Sequence, residues 1–207
     1  MKKKTSFVVL ALVLVVLIGG ASVLYNRLSA GAGTDNLSAQ TPQATQTPGE
    51  TGTPQDSAAP EETAPPKVEA PDFTVENADG EEVKLSDYVG KPIVLNFWAS
   101  WCSPCKSEMP DFNEAWEELG EEVHFLMVNM TDGSRETVDT AKEYVEEQGF
   151  SFPVFFDTQS QAAIAYGAYS LPTSYFIDAE GYVVARAVGA IDRDTLQKGL
   201  DLIYPQE

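Results

Sequence analysis

A continuous apolar run that leads directly into two closely spaced cysteines constrains the fold of this chain more than any other feature. Ile93–Trp98 is almost entirely apolar, which is typical of a strand covered on both faces of a sheet. Ser103–Leu119 then has apolar residues at three- and four-residue intervals, which predicts a helix, and Pro104 suits its first turn. Cys102 and Cys105 therefore stand where a buried strand passes into a helix.

Short apolar runs alternate with acidic helical stretches through the rest of the segment from residue 69 to the end. The final two predicted strands are joined by a turn-rich connection, which favours an antiparallel pair. We therefore predict an α/β fold with a mixed central sheet flanked by helices, an N-terminal β-hairpin, and a kink at Pro110 in the first helix. The remaining predicted strands are 73–76, 83–85, 123–130, 154–156, 174–177 and 182–188, and the remaining predicted helices are 137–148, 159–166 and 192–203.

The two cysteines have the spacing and the position of a dithiol that can open and close. A helix start supplies free N–H groups and a favourable dipole, so a thiolate at Cys102 should be stabilised. Cys105 lies one turn deeper, within reach of Cys102 for a disulfide. We predict that Cys102 attacks a partner disulfide and that Cys105 resolves the mixed disulfide.

Three other interpretations of the pair stay open from the residues alone. The cysteines could be buried apolar side chains, a static disulfide, or half of a metal site. A metal site is disfavoured because His124, the sole histidine, falls within a strand pattern and the chain has no second ligand pair. We predict no metal.

The charge of the chain excludes one class of partner. Its formal net charge is −19, with 13 Lys and Arg against 32 Asp and Glu. Such a surface repels phosphate backbones, so we predict no nucleic-acid partner.

The N-terminus has the pattern of a membrane anchor. A lysine cluster within residues 1–6 precedes an uncharged, strongly apolar stretch over residues 7–25, which as a helix would span about 28 Å. The positive charges before the stretch place residues 1–6 in the cytoplasm and the remainder outside it. A cleaved signal peptide is the alternative, because Ala30, Gly31 and Ala32 offer a cleavage site, but the apolar stretch is long for a signal.

Residues 26–68 have the composition of a linker. They are rich in Pro, Thr and Gln and hold few large apolar residues, so we predict a disordered tether. Residues 69–207 then form the folded domain.

Residues 69–207 resemble the thioredoxin superfamily, specifically its membrane-anchored extracytoplasmic oxidoreductases of the TlpA and ResA type. Three motifs carry the resemblance: the run from Asn96 through Trp101-Cys102-Ser103-Pro104-Cys105, then Glu108-Met109-Pro110, then Leu171-Pro172-Thr173 before a strand. The stretch 133–157 resembles the helix-and-strand insert of that subfamily.

The resemblance implies roles for several residues beyond the cysteines. Pro172 would be cis and pack against the disulfide, and Glu108 would lie near the sulfurs and exchange protons with them. Trp101, Ser103, Pro104, Leu171 and Thr173 would shape the active site and bind substrate. Some ResA-like proteins have an acidic residue at the position of Ser103, so the reduction potential is left open.

The resemblance also implies an activity. The chain would be a protein-disulfide reductase that receives electrons from an integral-membrane thiol donor and reduces exported proteins such as apocytochrome c. It would need no cofactor besides the Cys102–Cys105 disulfide, and we expect a monomer held at the cell membrane by a single-pass anchor. The alternatives are a disulfide-forming oxidant and, from a different class, a copper-delivery module; a peroxidase is disfavoured because no arginine lies near Cys102 in the sequence.

Overall fold

The computed structural model describes residues 37–39 and 67–205. A short 3₁₀ helix at Leu85–Tyr88 follows the first hairpin. The strands are β1 (Leu37–Ala39), β2 (Val68–Glu69), β3 (Thr74–Glu76), β4 (Glu82–Lys84), β5 (Ile93–Trp98), β6 (His124–Asn129), β7 (Val154–Phe156), β8 (Thr173–Ile177) and β9 (Tyr182–Val188). The helices are α1 (Ser103–Leu119), α2 (Val138–Gln148), α3 (Gln161–Tyr166) and α4 (Arg193–Ile203).

In the described part of the chain, nine strands form one mixed sheet. Its order is β1-β9-β8-β5-β6-β7-β3-β4, with β2 also paired to β9. Strands β5, β6 and β7 run parallel, whereas β8 and β9 run antiparallel to their neighbours. The predicted mixed α/β sheet is therefore confirmed.

The register brings three strand ends to one edge of the sheet. Trp98 at the end of β5 pairs with Asn129 at the end of β6. Phe97 pairs with Thr173 at the start of the antiparallel β8. The segments after β5 and β6 and the segment before β8 consequently meet at this edge, which is hereafter called the site edge.

Apolar side chains cover both faces of the sheet. On one face, α1, α2 and α4 bury residues that include Phe112, Ala141 and Leu196. On the other face, α3 and the β3–β4 hairpin bury residues that include Phe73 and Ala162. Strand β5 is completely buried, and its apolar side chains contribute to the core on each face of the sheet, as the sequence pattern predicts.

The predicted elements after residue 69 are confirmed with small shifts at their ends. Helix α1 has the predicted bounds and continues past Pro110. Thr137 and Asp192 are N-caps rather than helical residues, since their side chains accept hydrogen bonds from the backbone N–H groups of Thr140 and Thr195.

The N-terminal predictions fall largely outside the described residues. The predicted cytoplasmic tail at 1–6 and the predicted anchor at 7–25 lie there entirely, and no helix within 37–39 and 67–205 is long and apolar enough to cross a membrane. Leu37–Ala39 lies inside the predicted linker and is nonetheless a strand, because its backbone pairs with the edge of β9 between Ala185 and Ala187.

Candidate active site

Cys102 and Cys105 are joined by a disulfide at the first turn of α1, and their Cα atoms lie 5.3 Å apart. Cys102 is the N-cap of the helix, and its sulfur accepts a hydrogen bond from the backbone N–H of Cys105 at 3.2 Å. The backbone N–H of Cys102 donates to the carbonyl of Ala99 at 3.1 Å, which closes the turn after β5. Strand, turn and helix start together fix both sulfurs at the site edge.

The two cysteines differ in their access to solvent. Cys102 is 4% exposed, whereas Cys105 is 0% exposed and faces the core beneath α1. A partner disulfide approaching from outside would therefore meet Cys102 first. This asymmetry agrees with the roles that the sequence predicts for the two residues.

The residues on either side of Cys102 in the chain are exposed. Trp101 is 41% exposed, and Ser103 and Pro104 are exposed on the first turn of α1. Pro104 lies within the first two helical positions, where its missing N–H costs no intrahelical bond. The carbonyl of Pro104 instead accepts a hydrogen bond from Ser107 Oγ at 2.6 Å.

Glu108 is a buried carboxyl group one turn beyond Cys105 on the same face of α1. Its side chain is 1% exposed. Asn96 Nδ2 donates to its Oε1 at 2.8 Å, and the backbone N–H of Ile191 donates to its Oε2 at 2.9 Å. Burial raises the pKa of Glu108 to about 7, although both hydrogen bonds favour the charged form.

Asn96 connects Glu108 to strand β8. Its Nδ2 also donates to Ser174 Oγ at 2.9 Å, while its Oδ1 has no hydrogen-bond partner among the described residues. An unpaired buried acceptor is costly, which makes this polar pocket an unusual feature of an otherwise apolar core. The sequence analysis identified neither Asn96 as a partner of Glu108 nor Ser174 as a partner of Asn96.

The segment before β8 contains the cis proline that the resemblance implies. The Leu171–Pro172 peptide bond is cis. The carbonyl of Pro172 accepts a hydrogen bond from Gly189 N–H at 2.9 Å, and Thr173 Oγ1 donates to the carbonyl of Ser170 at 2.7 Å. Since Thr173 pairs with Phe97, this segment shares the site edge with the cysteines.

The loop after β6 contains a buried acid that the sequence analysis missed. Glu136 is 0% exposed and accepts hydrogen bonds from Ser100 N–H at 2.8 Å, from Ser100 Oγ at 2.7 Å and from Asn129 Nδ2 at 2.7 Å. It therefore ties residues 131–137 to the turn that carries Cys102. The Asp132-Gly133 pair shortly after a buried strand was the available signal, because such a dipeptide marks a turn at the end of a strand.

The lone histidine lies away from this site. His124 begins β6, whereas the site edge lies at the other end of that strand. Its ring packs edge-on against Tyr88. Burial lowers the pKa of His124, as expected for an imidazole within a sheet.

The sequence of this chain is similar to those of known thiol-disulfide oxidoreductases. The AhpC/TSA family matches residues 66–186. A thiol-disulfide oxidoreductase ResA from Geobacillus thermodenitrificans is 36% identical over 136 residues, covering 65% of this chain and 76% of the relative. The Bacillus subtilis ResA is 34% identical over 138 residues, covering 66% and 75% respectively.

Solved structures give the same picture. A thiol:disulfide interchange protein DsbE from Chlorobium tepidum has a TM-score of 0.58 and 31% identity, covering 65% of this chain and 94% of its own. The exposed lipoprotein thioredoxin Etrx1 from Streptococcus pneumoniae has a TM-score of 0.53 and 34% identity, covering 63% and 98%. The fold is thioredoxin-like.

Proposed function

Because the chain belongs to the AhpC/TSA family and is a thiol-disulfide oxidoreductase, we propose that Cys102 and Cys105 are its redox thiols and that they work in the reducing direction. The observation that carries the proposal is the asymmetry of the disulfide: Cys102 caps α1 and is 4% exposed, whereas Cys105 is completely buried in the core. A thiolate at a helix N-terminus is stabilised by the dipole and the free N–H groups. Cys102 is accordingly the attacking thiol.

The reaction transfers two electrons through a mixed disulfide. The Cys102 thiolate attacks one sulfur of the substrate disulfide, and the other substrate sulfur leaves as a thiolate and takes up a proton. Cys105 then loses its proton and attacks the Cys102 sulfur, which releases the second substrate sulfur as a thiolate. The products are a substrate dithiol and the Cys102–Cys105 disulfide, which a thiol donor must reduce before the next cycle.

Glu108 is the proton acceptor for Cys105 in this proposal. It lies one helical turn beyond Cys105 in the same buried region, and its pKa of about 7 allows it to gain or lose a proton near neutral pH. An exposed carboxylate with an ordinary pKa would be a much weaker base at the same pH. Asn96 and the Ile191 N–H hold the carboxyl group in place.

We further propose that the substrates are disulfides in exported proteins, such as apocytochrome c, and that the donor is an integral-membrane thiol carrier. The apolar residues 7–25 support a single-pass anchor that keeps a monomeric domain on the outer side of the cell membrane. Neither a metal nor an organic cofactor is required, because the electrons move as paired thiols.

The reduction potential of the Cys102/Cys105 pair tests the direction of transfer. The full chain in mild detergent would be equilibrated with glutathione and dithiothreitol buffers, and the fraction of disulfide would be measured by thiol labelling. We expect a potential near or below that of thioredoxin, about −270 mV. A value of about −120 mV would identify a disulfide-forming oxidant instead.

Trapping of the mixed disulfide tests the assignment of the two cysteines. The Cys105→Ser variant should accumulate a mixed disulfide with a substrate protein, because the resolving thiol is missing. Dithiothreitol should release the substrate protein from this adduct. The Cys102→Ser variant is the matched control and should accumulate none. Accumulation by the control alone would reverse the assignment.

A further inference from the structure

Two cations flank the redox pair, and each is held on an aromatic ring. The guanidinium of Arg135 lies 3.6 Å from the centroid of the Trp101 ring, next to Cys102. The Nζ of Lys106, the residue after Cys105, lies 4.7 Å from the centroid of the Tyr144 ring on α2. Arg135 and Lys106 are both exposed, so both charges are open to a bound partner.

The position of Arg135 is fixed by its own loop. Asp132 Oδ1 accepts hydrogen bonds from the backbone N–H groups of Ser134 and Arg135 at 2.7 Å and of Glu136 at 3.0 Å. Glu136 then binds Ser100 in the turn before Cys102. The backbone on both sides of Arg135 is therefore held in place, at Ser134 and at Glu136. Stacking of the guanidinium on Trp101 then costs little additional conformational entropy.

Neither cation forms an ion pair with another described residue. Within residues 37–39 and 67–205, the ion pairs are Lys67–Asp178 and Arg193–Glu118. Asp132 is close enough to interact with Arg135, but one of its oxygens is engaged by three backbone N–H groups. The first turn of α1 has no acidic residue either.

We infer that Arg135 and Lys106 form a cationic rim that favours disulfide substrates with carboxylates close to the sulfur under attack. This inference rests on the proposed function, because the rim acts on the substrate of the same dithiol. A substrate carboxylate next to the disulfide would contact the rim when its sulfur reaches Cys102. The net charge of −19 repels anions at longer range, so the preference arises in contact and not during approach.

Three small symmetrical disulfides of similar size test the rim: dithiodipropionate, which is anionic, bis(2-hydroxyethyl) disulfide, which is neutral, and cystamine, which is cationic. The reduced full chain in mild detergent would be mixed with each at 0.15 M salt, and the second-order rate constant would be measured from disulfide formation in the protein. For each protein, the rate constant with the anionic disulfide is divided by the rate constant with the cationic disulfide. The ratio for a variant is then divided by the ratio for the wild type, so that the intrinsic reactivities of the probes cancel.

We expect the double variant Arg135→Gln/Lys106→Gln to lower this ratio roughly fourfold or more, since each of the two exposed charge contacts contributes a factor of roughly two to five. The rate with the neutral disulfide should change less than about twofold on the same grounds. Arg135→Lys should keep most of the preference, because it keeps the charge. An unchanged ratio in the double variant would overturn the inference.

Lys142→Gln is the matched control. Lys142 also lies over a ring, that of Phe156, but its Nζ donates to the carbonyl of Ala78 in the β3–β4 hairpin. The control variant removes one unit of charge outside the rim, against two in the double variant, and should leave the ratio unchanged. A drop comparable to that of the double variant would attribute the preference to net charge and refute the rim. If the wild type failed to reduce even the neutral disulfide, the proposed function itself would fall.

Discussion

Replacing Glu108 with glutamine should change how the stability of the protein depends on pH. Glu108 has a pKa of about 7 in the folded protein, against 4.5 for an ordinary glutamate, chiefly because it is buried. Between these two values the unfolded chain releases this proton and the folded protein keeps it, so rising pH favours unfolding. At about 1.4 kcal/mol per pKa unit, the wild type should lose about 3 kcal/mol of stability from this group.

The Glu108→Gln variant lacks that loss, because an amide does not titrate. The free energy of unfolding of the oxidised full chain would be measured by urea denaturation in mild detergent between pH 4 and pH 8.5. The difference in the free energy of unfolding between variant and wild type should be constant below about pH 4.5. It should shift by about 3 kcal/mol in favour of the variant as the pH rises to about 7, and should level off above that pH.

Glu114→Gln is the control for this measurement. Glu114 is exposed on the same helix, so its carboxylate keeps its hydration on folding. Its variant should follow the wild type across the whole pH range. Parallel curves for wild type and Glu108→Gln would refute the reasoning, because they would mean that burial does not raise the pKa of Glu108.

Three further predictions follow from the same contacts. In single-turnover experiments, release of the second substrate thiol should accelerate as pH rises through about 7 in the wild type, and Glu108→Gln should slow it roughly a hundredfold and remove that inflection, since the proton acceptor is gone. Glu136→Ala should cost about 3 kcal/mol in urea denaturation, because the buried donor on Asn129 and the half-buried donors on Ser100 lose their acceptor. Glu136→Gln should cost clearly less, and equal losses would contradict this account. Gly199→Ala should cost about 1 to 3 kcal/mol, since a Cβ on α4 would overlap the ring of Phe176, and an unchanged urea midpoint would show that the helix can move aside.

Local patterns in the sequence were sufficient to predict most of the domain. The bounds of β5 and α1 agree with prediction because an unbroken apolar run, a proline in the first helical turn and regular apolar spacing each act within a few residues. The cis bond at Pro172 agrees as well, but it was implied by family resemblance and not by the local pattern.

Contacts between distant segments were beyond that approach. Arg135 and Glu136 belong to the site only because β6 lies beside β5, so that the loop after one strand reaches the turn after the other. In the sequence, Asn96 is a single polar residue within an apolar strand pattern. Its role becomes visible only in the structure, where α1 packs over β5 and brings Glu108 within hydrogen-bond distance of Asn96. The strand at Leu37–Ala39 depends on the free edge of β9, about which its own three residues carry no information.

At the site edge, loops that tolerate substitution adjoin strands and a helix whose geometry the redox chemistry requires. Sheet pairing holds β5, β6 and β8 in register, while the dithiol, the Arg135 loop and the Pro172 segment project from their ends. Mutations could therefore change residues 132–135, and with them the choice of partner, while Glu136 and the strand and helix that present the sulfurs stay intact. An engineer could exploit the same division by grafting a different segment between Thr131 and Glu136, which would retarget the protein and keep the contacts of Glu136 with Ser100 and Asn129.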